Sequence, residues 1–147
     1  MNTSHELIKL ISTQEWDTQH PATAADIQSL EAAFGNIPED YKALLLFSNG
    51  GSLYGKKTPF IAYSVTEVLA LFREKDLYKH IPQSLVFGGD GGGTIYCFDL
   101  RLDKGQSVFF IREEDAGYDP NAYNNLVFTG TTLTDTIQRI VNNEKLN

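Results

Sequence analysis

The order in which two hydrophobic patterns occur along this chain restricts its fold more than any other feature. Helix-period stripes dominate the first half, and short strand-like runs dominate the second. The runs are Leu85–Phe87, Thr94–Leu100, Gln106–Ile111 and Leu126–Thr129, all rich in apolar, β-branched or aromatic residues. Asp103-Lys104-Gly105 lies between the second and third and has hairpin length. Helices collected ahead of an antiparallel meander predict an α+β domain, not alternating βαβ units. The expected architecture is an antiparallel sheet of about four to six strands with helices packed against it, in a single domain.

The helices carry their own start and stop signals. Leu7, Ile8, Leu10 and Ile11 suggest a short amphipathic helix from Met1 to about Thr13. Thr23 and Asp26 stand in capping-box positions ahead of Ile27, Leu30 and Phe34, and Gly35 can end that helix in the left-handed conformation. Pro38, Glu39 and Asp40 suit the first turn of a third helix. Its stripe of Tyr41, Leu44, Leu45 and Ser48, widened by Leu46 and Phe47, predicts burial on most sides, and Asn49-Gly50-Gly51 stops it. Thr58–Tyr63 reads as a strand. Ser64 to Glu67 is a second capping box, opening a helix striped by Val65, Val68, Leu69 and Phe72. Leu133, Ile137, Ile140 and Val141 mark a closing helix within Thr131–Asn143.

At 147 residues the chain has the length of one domain with a sizeable core. Its 41% hydrophobic content, with nine Phe and seven Tyr, is globular and not disordered. Nineteen acidic against twelve basic residues give a net charge of −7. That charge disfavours nucleic-acid backbones and anionic membranes and steers the protein toward basic partners, although it is also ordinary for keeping a small domain soluble. The single cysteine, Cys97, rules out an intramolecular disulfide. The N-terminal segment has no apolar signal core, and no apolar run reaches the roughly 20 residues of a spanning helix. A cytoplasmic location is expected.

Most catalytic motifs fail on detail. Gly88-Gly89-Asp90-Gly91-Gly92-Gly93 lacks the Lys-Ser/Thr pair of a phosphate loop and leads into a strand, so it reads as a positive-φ connection. His5, His20 and His80 are scattered without metal-ligand spacing, and Cys97 sits in an apolar run as a buried thiol. No metal, cofactor or catalytic residue is expected. Glu113-Glu114-Asp115 and Asp119, with Tyr118 and Tyr123 interleaved, lack calcium-loop spacing. The segment reads equally as a protein-docking loop and as a polar loop between strands. Carboxylates attract Lys and Arg, and tyrosines give rigid contact area.

The segment Ile37-Pro38-Glu39-Asp40-Tyr41-Lys42-Ala43-Leu44-Leu45, followed by Ser48-Asn49-Gly50-Gly51, resembles the signature of the SUKH superfamily, which includes the yeast Smi/Knr regulators and bacterial immunity proteins. Phe87 to Gly93, Tyr96 to Leu100 and Val108-Phe109-Phe110 look like that superfamily's Gly-rich strand pair and following strand. The likeness spans roughly residues 22–143, leaving 1–21 as an N-terminal helical extension. Ile37 replaces the usual Leu, and Glu113–Asn125 matches no family motif. The resemblance implies a non-catalytic immunity protein that neutralises a cognate toxin domain with a basic surface, such as a nuclease, by direct binding. Asp90, Asp99, Glu113, Glu114, Asp115, Tyr118, Asp119 and Tyr123 are the expected contact residues, on a monomer or weak dimer. A regulatory scaffold like the fungal relatives and a small-ligand-binding domain are the alternatives.

Overall fold

A computed structural model describes residues 3–101 and 106–146. Among these, six α-helices and six strands alternate in blocks: α1 (Thr3–Ser12), α2 (Ala24–Phe34), α3 (Glu39–Phe47), β1 (Gly51–Leu53), β2 (Phe60–Ala62), α4 (Val65–Glu74), β3 (Ser84–Gly89), β4 (Thr94–Asp99), β5 (Val108–Arg112), α5 (Glu113–Tyr118), β6 (Val127–Gly130) and α6 (Leu133–Val141). Short 3-10 turns cover Asp76–Tyr78 and Ala122–Asn125. The strands form one sheet in the order β1-β2-β3-β4-β5-β6, and every neighbouring pair is antiparallel. This is the expected α+β meander at the upper end of its strand range. The turn at Asp103-Lys104-Gly105 lies outside the described residues, but the strands it was expected to join do pair, from Thr94↔Arg112 to Phe98↔Val108.

Strand residues alternate between two cores. Leu85, Phe87, Tyr96, Phe98 and Val108 join the larger cluster, with residues of α1, α2, α3, α4 and α6. Val86, Ile95, Cys97 and Ile111 point the other way, toward Tyr78, Ile81, Ala116 and Ala122. The sheet is therefore covered on both faces, thickly on one and thinly on the other. Strands buried on both faces read as continuous apolar runs, and every residue of β3 is buried. Phe87 and Phe98 stack at the centre of the thick layer with ring centroids 4.5 Å apart, and Tyr41 lies 5.4 Å from each.

Both capping boxes form, at Thr23/Asp26 and at Ser64/Glu67. Gly35 has φ +80° but ψ −150°, so it ends α2 without adopting the expected left-handed helical geometry. Lys75 takes that geometry instead, after α4. The helix α3 is buried or half-buried at every residue but Glu39 and Leu46, and Leu46, 45% exposed, does not widen the buried stripe as Phe47 does. The helix α1 is more than an appendage, because Leu7 and Ile11 are fully buried in the larger core. The acidic segment was expected to be a loop; its first part is the helix α5. Strand β1 carried no sequence signal of its own and forms by pairing with β2.

Candidate functional site

Nearly every polar group of the Pro38–Gly51 signature is used to hold the fold. Asp40 is buried, and its Oδ2 accepts hydrogen bonds from the Thr134 N–H (2.9 Å) and hydroxyl (2.8 Å). This carboxylate on α3 thereby caps the first turn of α6, where the helix dipole favours negative charge. Lys42 lies between Glu31 and Glu39 at 3.6 and 3.5 Å. The Ser48 hydroxyl accepts from Trp16 Nε1 and the Gln19 N–H and donates to the Gly50 carbonyl. Asn49 Oδ1 accepts from the Val65 N–H at the start of α4. At Gly51 (φ +135°), a Cβ would lie 2.5 Å from the Asp17 carbonyl oxygen and 2.8 Å from Trp16 Nε1. Only glycine lets the chain pass beneath the Trp16 segment. The exception is the Tyr41 hydroxyl, which is buried without a hydrogen-bond partner, and burial raises its pKa far above the ordinary phenol range.

The eight expected contact residues divide by environment. The Asp99 side chain is only 4% exposed and forms a two-pronged pair with Arg101 at 3.0 and 2.9 Å. Burial alone would raise its pKa, but the hydrogen bonds and charge of Arg101 outweigh that and hold it below the ordinary value. Arg101 also covers the Tyr123 ring at 3.7 Å, and the Tyr123 hydroxyl accepts from the Gln83 N–H at 2.7 Å. Asp99 and Tyr123 thus brace the end of β4 and do not present free groups. Asp119 accepts from the Asn121 N–H and from Asn125 Nδ2. Asp90 accepts from the Gly92 and Thr94 N–H groups within the glycine turn, where Gly91 and Gly93 have positive φ as expected.

Glu113, Glu114, Asp115 and Tyr118 are brought together on α5, which stands on the thin face with Ala116 turned into the core. Three carboxylates in its first turn face the positive end of the helix dipole. Glu114 meets Arg112 at 2.8 Å, with both side chains mostly exposed. Tyr118 is 85% exposed, more than any other large hydrophobic residue described. A cleft of about 440 Å³ separates α5 from the Asp76–Tyr78 turn, with Glu113, Glu114 and Tyr118 on one wall and Asp76, Leu77 and Lys79 on the other. Burial first, and then the charges of Glu113, Glu67 and Asp90, raise the Tyr63 phenol to about 12. The opposite wall had no sequence signal, because Asp76 and Glu113 are distant in the chain and the fold brings their segments together, with the His80 N–H donating to the Ala116 carbonyl.

The single cysteine is not poised as a nucleophile. Cys97 is fully buried; desolvation first, and then Asp99, pushes its thiol up to about 12. Among the described residues, no group of three or more His, Cys, Asp and Glu side chains is placed to hold a metal ion. None of their helices is long and apolar enough to cross a membrane.

An antiparallel meander under a helical layer, with an exposed acidic helix on its thinner side, defines a small α+β domain whose free chemistry is on its surface. Residues 21–135 match the model of the SMI1 / KNR4 family (SUKH-1), and the chain belongs to that family. No individual curated protein matches it. The matched region contains the whole sheet and α5 and leaves out α1, although α1 contributes to the core.

Proposed function

We propose that this protein is a non-catalytic binding domain that neutralises a cognate toxin by one-to-one docking through α5. The observation that carries this reading is the exposed face of Glu113, Glu114 and Tyr118 beside a cleft. Carboxylates there steer a basic partner into place, and Tyr118 supplies rigid contact area. A nuclease domain fits, because it needs a basic surface to hold nucleic acid. The buried, high-pKa Cys97 supports a role without covalent chemistry. The protein works in the cytoplasm on this reading, with Cys97 a free thiol. Asp115 and Asp90 contribute to the field of the site. Asp99, Asp119 and Tyr123 support it from behind.

The test is a pull-down with the tagged full chain, with partners identified by mass spectrometry, followed by binding kinetics at low and high salt. Association is expected to slow as salt rises. Tyr118→Ala and the combined Glu113→Gln/Glu114→Gln variant are each expected to weaken binding about tenfold. An affinity indifferent to both salt and these substitutions would sink the assignment of α5.

A further inference from the structure

The Asp76–Tyr78 turn borders a second hollow, of about 530 Å³, lined by Phe72, Lys75, Asp76, Tyr78, Lys79 and Pro82 and by no residue of α5. Its apolar floor is fixed from behind. Phe72 meets Tyr78 edge-on at 5.2 Å between ring centroids and lies 4.6 Å from Phe34. The Tyr78 hydroxyl accepts from the Val86 N–H in the core. Phe72 is half-buried and Pro82 exposed, so part of this floor is open to solvent. The cations beside it are unusual for the chain. Among the described residues, Lys42, Arg101, Arg112 and Arg139 are engaged in ion pairs, whereas Lys75 and Lys79 are in none. Lys75 also holds the left-handed conformation after α4 (φ 69°), a place that the backbone alone would give to glycine.

We propose that this hollow binds a small amphipathic carboxylate, a free molecule with one or two flat apolar rings and a single negative charge. The volume lies within the range of about 300–1,000 Å³ common to small-ligand sites. The rings rest on Phe72 and Pro82, and the carboxylate meets the ammonium groups of Lys75 and Lys79 at the rim. Charge sets the valence. Two ammonium groups and the one carboxylate of Asp76 leave one positive charge, which a monoanion neutralises. The acidic character of the whole chain, at −7, makes this local reversal of sign the more selective. Shape argues for a small molecule. Every lining residue falls within 72–82, so the hollow is a bowl and not the extended groove that a peptide strand or helix occupies. The site goes beyond docking through α5 and does not depend on it.

The experiment is an NMR titration of the full, ¹⁵N-labelled chain with 4-phenylbutyrate, its neutral amide and the cationic 4-phenylbutylamine. Saturable shifts of the Lys75, Asp76, Tyr78 and Lys79 amides are expected with the carboxylate, at a Kd of about 1 mM for so small a ligand. The amide is expected to bind at least fivefold more weakly and the amine not to saturate. Higher salt is expected to weaken the carboxylate complex. The combined Lys75→Gly/Lys79→Gln variant is expected to lose about tenfold in affinity. Its fold is checked by thermal unfolding, and Lys75→Gly alone is expected to leave Tm equal or higher, because glycine suits the left-handed position. Lys57→Gln, at a cation remote from the hollow in the chain, is expected to bind as the unaltered chain does. Equal affinity for carboxylate and amide, shifts confined to Glu113–Tyr118, or a folded double variant that binds undiminished would each overturn the proposal, as would no saturable shift with the carboxylate. None of these outcomes bears on salt-dependent capture of a protein through α5.

Discussion

Replacing Asp40 by alanine tests whether the family signature serves the fold. The carboxylate is 3% exposed and receives two hydrogen bonds from Thr134, across 94 residues of chain. A hydrogen bond to a charged group contributes about 1.5–3 kcal/mol, and a charge at a helix N-terminus about 0.3–1 kcal/mol. The two bonds share one acceptor oxygen and the Thr134 side is only half buried, so the expected loss is about 3 kcal/mol. For a chain of this size that corresponds to a fall in Tm of roughly 6–12 °C. Asp40→Asn keeps an acceptor oxygen and loses only the charge, so it should cost about 1 kcal/mol. Urea unfolding followed by Trp16 fluorescence and far-UV circular dichroism measures both, with an unchanged m-value showing that the two-state comparison holds. Glu39→Ala, at the neighbouring exposed position, is the reference. If Asp40→Ala costs no more than Glu39→Ala, Asp40 does not join α3 to α6 and the signature needs another explanation.

Tyr41→Phe keeps the ring that packs on Phe87 and Phe98 and removes the buried hydroxyl without a partner, so urea unfolding should show it neutral or stabilising by up to about 1 kcal/mol. Cys97 should resist a thiol reagent such as DTNB at pH 8 in the folded protein and react fully in guanidinium, because its thiol is buried and pushed up to about 12. Asp99 has a folded pKa below its unfolded one, so its contribution is present above the unfolded value, near 3.8, and is lost as pH falls through the folded value. Acid unfolding of Asp99→Asn should accordingly show a shallower dependence of stability on pH below about 4 than the unaltered chain.

What the sequence revealed was local, and what it hid was set by contacts distant in the chain. The boxes at Thr23/Asp26 and Ser64/Glu67 each close within three residues, so spacing alone announces them. The stretches Leu85–Phe87 and Ile95–Phe98 of β3 and β4 carry no charge because both faces are covered. By contrast, Glu113-Glu114-Asp115-Ala116-Gly117-Tyr118 has a glycine and one buried residue, too little for a helical stripe. Its helix is held from outside, by the Glu113 N–H on the Gly93 carbonyl and the Ala116 carbonyl receiving the His80 N–H. In sequence Asp99 looks like the acids that follow it. Only the folded strand shows that Arg101 occupies its carboxylate and covers Tyr123.

The separation of roles has a consequence for how this fold can serve different partners. Asp40, Ser48 and Asn49 each satisfy donors distant in the chain, and Gly51 leaves room for the Trp16–Asp17 backbone, so a change at any of them strands a donor or makes a clash. Glu113 and Tyr118 lack such a debt, and apart from its exposed pair with Arg112 so does Glu114. Exposed ion pairs are worth about 0–1 kcal/mol, and surface substitutions generally stay within about 0.5 kcal/mol. The face on α5 can therefore be rewritten in charge and shape at little thermodynamic cost, while the helical layer behind the sheet keeps it in place. A binding domain that must match one particular partner needs this division, since specificity is a difference of affinities tuned by such exchanges.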